Sequence, residues 1–296
     1  MGGVFIFFVK KEKRIFIFAL TLLLVGIFAL CIKKYEEPPN AKAVVAEETF
    51  PSVPIIMYHS VCNNKKVVSD YRIAPELFEK DVEYLYKNGY KSIFVSDIVA
   101  YVYDGIPLPE KPIILTLDDG YLNNLTNVLP ILEKYNMCAT VSVVGEFSET
   151  FSNTVDTNSL YAYLTWDDIR TLVNSGRVEI GNHTFSMHEI GERRGCAKIS
   201  SESIEKYEEV LTNDLEKLQK TLVENSGVFP IVFTYPFGFV SKESLPTIKK
   251  LGFLAALTCY EHINYINGTT EQLYSLGRFN RPPGMSTEAF MKKIGV

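Results

Sequence analysis

Ile113-Ile-Leu-Thr-Leu-Asp118-Asp119-Gly-Tyr121 is a run of apolar and β-branched residues that stops at two adjacent carboxylates and a glycine. A continuous run of this kind reads as a buried strand of a parallel sheet, because both faces of such a strand are covered. In α/β folds the loops at the carboxyl ends of these strands carry the chemistry. Two neighbouring aspartates repel each other in a dry pocket, so something must compensate them, most simply a cation held by one. Read alone, Asp-Gly is also a common turn dipeptide. The choice between turn and site rests on the rest of the chain.

Some sixty residues later, Val178-Glu-Ile-Gly181 has a short strand pattern, and Asn182-His183-Thr-Phe-Ser-Met-His188 follows it directly. Histidines five apart share no helix face, and they point to opposite faces of an extended strand. They converge only if the chain curls between them, as a loop past a strand end allows. Two imidazoles and a carboxylate with an open position form a catalytic zinc set, and imidazole nitrogen also suits iron, cobalt or nickel. Two exposed loop histidines are the alternative for an isolated His-x4-His. Two strand-end motifs offering complementary ligands favour the metal site.

These segments carry a resemblance. Thr116-Leu-Asp-Asp-Gly-Tyr121 resembles the first motif of the polysaccharide deacetylases, the NodB-homology group called carbohydrate esterase family four. Asn182 to His188 resembles their second motif, and Phe233-Thr-Tyr-Pro236-Phe-Gly238 their third. Leu164-Thr-Trp166-Asp-Asp-Ile-Arg, leading into Ser175-Gly-Arg-Val-Glu-Ile-Gly-Asn-His, is also typical of the family. Val53-Pro-Ile-Ile-Met-Tyr58-His59-Ser-Val61 is similar to the opening of the exopolysaccharide (poly-N-acetylglucosamine) deacetylase branch, and the wide histidine spacing fits that branch too. The match covers residues 53 to 296.

The resemblance implies an α/β fold, a distorted (β/α) barrel of the NodB-homology type. Local patterns agree. Pro75 to Gly89 reads as a helix ending at a glycine, and Tyr121 to Asn136 as helical, kinked or opened by Pro130. Ala139 to Val144 is a strand, and Trp166 to Ser175 a short helix ending at Gly176. Ser200 or Ser201 can cap a long helix with Ile204, Tyr207, Leu211, Leu215, Leu218 and Leu222 on one stripe. Gly227 to Tyr235, Lys242 to Leu251 and Phe253 to Thr258 read as strand, helix and strand. Such alternation indicates parallel βα units.

The chain of 296 residues leaves ample length for one such barrel. Its N-terminus differs from the rest. Ile15 to Ile32 is 18 residues without a charge, enough to cross about 27 Å of hydrocarbon. Lys10, Lys11, Lys13 and Arg14 precede it, so the positive-inside rule puts the N-terminus in the cytoplasm and the rest outside. The expected organisation is a cytoplasmic tip and transmembrane signal-anchor over 1–35, a linker over 36–52, and a catalytic domain over 53–296. That places the protein in the cell membrane, single-pass, with an extracytoplasmic domain. A cleaved signal peptide is the rival, with Ala41-Lys-Ala43 as an A-x-A site, but the apolar run is long for it. Four cysteines outside, Cys62, Cys138, Cys196 and Cys259, permit two disulfides, although Cys138 and Cys259 border strand patterns where buried thiols are common. A net charge of −5 argues against nucleic acid, and a monomer is expected.

For the chemistry, the resemblance implies hydrolysis of N-acetyl groups on amino sugars of a polymer, with peptidoglycan and poly-N-acetylglucosamine as the candidates. Asp119, His183 and His188 would hold a divalent metal, Zn2+ before Co2+, Ni2+ or Fe2+. Asp118 would be the general base, and the backbone N–H of Tyr121 would face the oxyanion. The branch assigns the acid role to the early histidine, which maps onto His59; His262 is the weaker candidate. Tyr235, Pro236, Phe237 and Gly238 would line the groove. Two departures from the family stand out. Thr234 replaces the arginine that orients the catalytic aspartate, a charge that Arg278 or Arg281 could supply. The tryptophan-centred fourth motif is not recognisable, and the single Trp166 is assigned to helix packing. Two other readings stay open: a catalytically idle wall- or glycan-binding module, and a deacylase for a different acyl substrate.

Overall fold

The computed structural model describes residues 50–63, 69–154 and 156–296. They belong to a unit spanning Phe50–Val296, in which the Pro51 carbonyl accepts from Ile266 N–H. The expected membrane helix and nearly all of the linker lie outside the described residues. Among the described residues, no helix is long and apolar enough to cross a membrane.

Eight strands form the central sheet: β1 Ile55–Tyr58, β2 Lys91–Ser92, β3 Pro112–Leu117, β4 Ala139–Val143, β5 Val178–Asn182, β6 Val232–Thr234, β7 Ala255–Leu257 and β8 Phe279–Asn280. The order is β7-β6-β5-β4-β3-β1-β8, with β2 beside the start of β3. All pairings are parallel. The two ends of this order meet through one segment. Leu276 exchanges bonds with β7 and its extension (Thr258 N–H to Leu276 O 2.9 Å, Leu276 N–H to Ala256 O 3.0 Å). The chain then runs into β8, which pairs with β1. The sheet therefore curls into the distorted barrel expected from the sequence.

Helices cover its outside. They are α1 Pro75–Lys87, α2 Val95–Asp104, α3 Leu129–Lys134, α4 Gly145–Ser152, α5 Trp166–Asn174, α6 Ile204–Ser226, α7 Ser244–Lys250 and α8 Thr287–Lys293. In α1, Phe78, Val82 and Leu85 recur at helical spacing and are buried. A turn of π-helix, Asn124–Val128, precedes α3, and Pro130 stands in the first turn of α3, where its missing N–H costs nothing. Thr165 and Asp168 cap α5 reciprocally, and Trp166 packs in the core as expected.

Three expectations change. The cap of α6 is Ser203, whose side chain accepts from Lys206 N–H, not Ser200 or Ser201. Those two lie in a turn held by Glu202, which accepts from Ile199 N–H and pairs with Arg193. Ile204, at the first helical position, projects beyond the packed face and is exposed, while the rest of its stripe is buried. The four cysteines of the unit are free thiols.

Candidate active site

Because the strands are parallel, their carboxyl ends share one rim, and the functional segments leave from successive ends. His59 follows β1, Asp118 and Asp119 follow β3, His183 follows β5, Pro236 to Gly238 follow β6, and Cys259 follows β7. Asp119 and Gly120 both take the left-handed conformation, at φ 72° and 73°. Gly120 has a second reason to be glycine: a β-carbon would sit 3.0 Å from Val143 Cγ1. This turn sends the two adjacent carboxylates to different partners. Asp119, Thr184 and Phe237 are three of the five non-glycine residues with positive φ among the described residues, so backbone strain collects at this rim.

Asp119, His183 and His188 bring their donor atoms within 4.8 Å of one another. Asp119 Oδ1 lies 3.6 Å from His183 Nε2 and 3.2 Å from His188 Nε2. His183 Nδ1 is 2.7 Å from the Thr234 carbonyl, which fixes the proton on Nδ1 and leaves Nε2 as the lone-pair donor facing Asp119. One carboxylate and two imidazoles, one of them oriented by such a bond, fit a divalent cation of the zinc type. Burial pushes the Asp119 carboxyl up, but the two histidines outweigh it and hold it well below the usual carboxylate range. His183 shows the converse: burial lowers its pKa and the nearby Asp119 carboxylate raises it, with a net upward shift.

Asp118 faces the other way and is buried. Arg278 grips it with both arms, Nη1 to Oδ1 at 2.7 Å and Nη2 to Oδ2 at 2.8 Å. Arg278 is itself fixed by Nε to Thr258 O at 2.9 Å and Nη1 to Thr116 Oγ1 at 3.2 Å. Arg278 thus supplies the charge absent at Thr234, whose hydroxyl instead meets Ser142 Oγ at 2.7 Å. Burial alone would raise the Asp118 carboxyl; Arg278, then His183, reverse this and leave it below its ordinary value. His59 Nε2 stands 3.9 Å from Asp118 Oδ2. Burial lowers the His59 pKa, and the two aspartates only partly restore it. Its Nδ1 has no hydrogen-bond partner among the described residues.

Three other candidates do not join the site. Arg281 turns away from Asp118 and pairs with Asp81 (Nε to Oδ2 2.7 Å), where Thr287 Oγ1 and Tyr58 OH also donate. Tyr235 does not line the groove. It is buried behind the rim with its hydroxyl 2.9 Å from Ser244 Oγ, because the chain turns only after it, at Pro236. His262 is exposed and is absent from the cleft lining.

The cleft over these residues encloses about 740 Å³. One wall is aromatic. Phe237 lies against His188 with ring centres 4.4 Å apart, and Phe147, Tyr163 and Tyr121 form a contiguous stack beside it. Pro236 and Gly238 support this wall rather than form it: Pro236 is buried, and Gly238 packs where a β-carbon would meet Cys259 at 2.7 Å. The lining also includes His59, Tyr71, Glu261 and Asn280. Tyr121 forms a bridge with Tyr163, but its two bonds use Leu122 and Leu164 N–H, so the Tyr121 N–H is not spent on it. Phe147, Tyr163 and Tyr71 had no legible signal, since single aromatics in such segments read equally as core.

A sequence-family model described as polysaccharide deacetylase matches residues 105–256, just over half of the chain. The poly-beta-1,6-N-acetyl-D-glucosamine N-deacetylase of Escherichia coli (strain K12) is 26% identical over 261 residues, which are 78% of this chain and 38% of that protein. The chain thus matches well under half the length of that relative. Among solved structures, a de-N-acetylase from Aggregatibacter actinomycetemcomitans superimposes with a TM-score of 0.70 at 22% identity, covering 82% of this chain and 99% of that one. A deacetylase of Streptococcus pyogenes in complex with acetate gives 0.68 at 20% identity, covering 83% and 99%. At these identities the structural likeness speaks for the fold. Family match, motif order and barrel agree, and the chain belongs to the polysaccharide deacetylase family.

Proposed function

We propose that the protein is a metal-dependent hydrolase that removes N-acetyl groups from amino sugars of a cell-surface polysaccharide. One observation carries this reading: a ligand set (Asp119, His183, His188) and an arginine-clamped carboxylate (Asp118) stand side by side in one cleft, with His59 next to them. A binding-only module needs neither the clamp nor the pairing. A divalent cation, Zn2+ in our reading, would be held by Asp119, His183 and His188 and would supply Lewis acidity to the reaction.

The chain's own groups do the rest. Asp118 is ionised at neutral pH and takes a proton from the attacking water, while Arg278 keeps its carboxylate oriented. The Tyr121 N–H donates to the oxygen on which negative charge develops. His59 is neutral at the start, given its lowered pKa. With Nε2 3.9 Å from Asp118 Oδ2, beyond direct hydrogen-bond reach, it takes up that proton through one water and passes it to the departing nitrogen. The C–N bond then breaks, leaving acetate and an amine. The aromatic wall of Phe237, Phe147 and Tyr163 offers faces on which sugar rings stack.

The names of relatives support an amino-sugar polymer as substrate, poly-N-acetylglucosamine in particular, with peptidoglycan as the other candidate. The uncharged run Ile15–Ile32 supports anchoring in the cell membrane with the barrel outside. The test is acetate release by full-length, Zn2+-loaded protein in detergent, from poly-N-acetylglucosamine oligomers and from peptidoglycan in parallel. We expect release from at least one of the two polymers, and faster release from the first. Release from neither, with metal bound, would point to another acyl substrate.

A further inference from the structure

Asp214 interrupts the apolar stripe of α6. It stands beside Leu211, Leu215 and Leu218 on the inward face and is only 9% exposed. A carboxylate in such a place is costly unless its oxygens are bonded, and all of its bonds run to one short segment. Oδ1 accepts from Phe185 N–H at 2.7 Å. Oδ2 accepts from Ser186 N–H at 2.8 Å and from the Ser186 hydroxyl at 3.0 Å. Phe185 and Ser186 lie in the curl between His183 and His188.

The curl is gripped from other sides as well. Lys217, one turn along α6, holds its Nζ 3.5 Å from the centre of the Phe185 ring. Gly145, at the start of α4, packs so close that a β-carbon would come within 2.4 Å of that ring. The α4 end also donates Gly145 N–H to Thr184 O and Glu146 N–H to Phe185 O. Thr184 adopts φ 72°, a conformation that a β-branched residue does not hold by itself. The path that swings His188 back to Asp119 is therefore imposed from outside, and among the described residues the only charged side chain bonded to its backbone is Asp214.

Resting on the metal reading above, we infer that Asp214 is the positioning residue that presets His188 against Asp119 and His183. It touches no reacting atom and acts through two successive backbone N–H groups. Both carboxylate oxygens are needed. An asparagine offers one acceptor and turns its NH2 group against the second N–H.

The test uses full-length protein in detergent: Zn2+ affinity by competition with a chromophoric chelator, the visible spectrum of the Co2+ form as a coordination signature, and melting of the metal-free protein. For Asp214→Asn the expected result is Zn2+ binding weaker by about 10- to 100-fold, the range for residues that orient ligands, with a changed Co2+ spectrum. Ser186→Ala, which removes the hydroxyl bond and keeps both N–H bonds, should stay close to wild type in both. Should Asp214→Asn not fold, Asp214→Glu keeps the charge and both acceptors but displaces the curl by one methylene, and the same weakening and spectral change are expected. Wild-type affinity and spectrum in the folded variant, with only the melting temperature lowered, would make Asp214 a structural residue and overturn the inference. Failure of the wild-type protein to bind Zn2+ would instead overturn the metal reading itself.

Discussion

Asp118 and Asp119 are neighbours with different partners, and these surroundings set the division of tasks proposed for them. A guanidinium holds one and two imidazoles face the other, so two carboxylates that would repel in a dry pocket are both kept ionised. The clamp has a measurable consequence. Arg278→Met leaves Asp118 buried without its cation and should destabilise the protein by about 3–5 kcal/mol, as for other broken buried pairs, with loss of turnover. Arg278→Lys keeps the charge but not the two-pronged geometry; it should fold closer to wild type and still lose most of kcat. Denaturant titration and acetate release read the two effects separately. The aspartates and both histidines were legible because each pair lies in one contiguous motif. The choice between Arg278 and Arg281 was not. Three positions apart on an extended segment, they point to opposite faces, and only the closure of the barrel decides which face looks inward.

The helix–strand elements aim the site. Gly145→Ala places a methyl where the Phe185 ring now sits. The expected cost is about 1–3 kcal/mol from overpacking, and Zn2+ affinity should fall with it, since Phe185 lies between the histidines. A far element gives a pH test. Glu179 on β5 accepts from Val95 and Ser96 N–H, capping α2, and from Thr140 Oγ1. Burial raises its carboxyl above the ordinary 4.5, against the pull of those bonds. The folded state therefore binds the proton more tightly than the unfolded chain. The stability this group contributes is present below pH 4.5 and is lost as pH rises through the raised folded value. In unfolding measured from pH 4 upward, Glu179→Gln should gain stability relative to wild type over that window; a constant difference would refute the assignment. Strongly periodic helices such as α1 and α5 were legible from sequence to within a residue or two. The helices α2 and α4 were not singled out: α4 is short and polar, and α2 is an apolar stretch whose first turn is capped by a residue more than eighty positions away. The cap of α6 was missed because an Arg193–Glu202 pair, a tertiary contact, keeps the first serines out of the helix.

At the scale of the whole molecule, a parallel barrel gathers on one rim residues that are far apart in sequence, from His59 to Arg278. The pair Arg281–Asp81 fastens the closing segment to α1, so the last strand delivers Arg278 to Asp118 in register. The charge-free run Ile15–Ile32 makes its own prediction: full-length protein should sediment with membranes and resist extraction by high salt, whereas recovery in the soluble fraction would contradict a membrane anchor. The most direct measurement is a paired one on a single preparation of wild type and Asp118→Asn: bound Zn2+ per chain, and acetate released from N-acetylglucosamine oligomers. The account predicts about one Zn2+ per chain in both proteins, as expected of one such ligand set, with acetate from wild type alone. Equal acetate from the two proteins, or no tightly held metal in either, would contradict it.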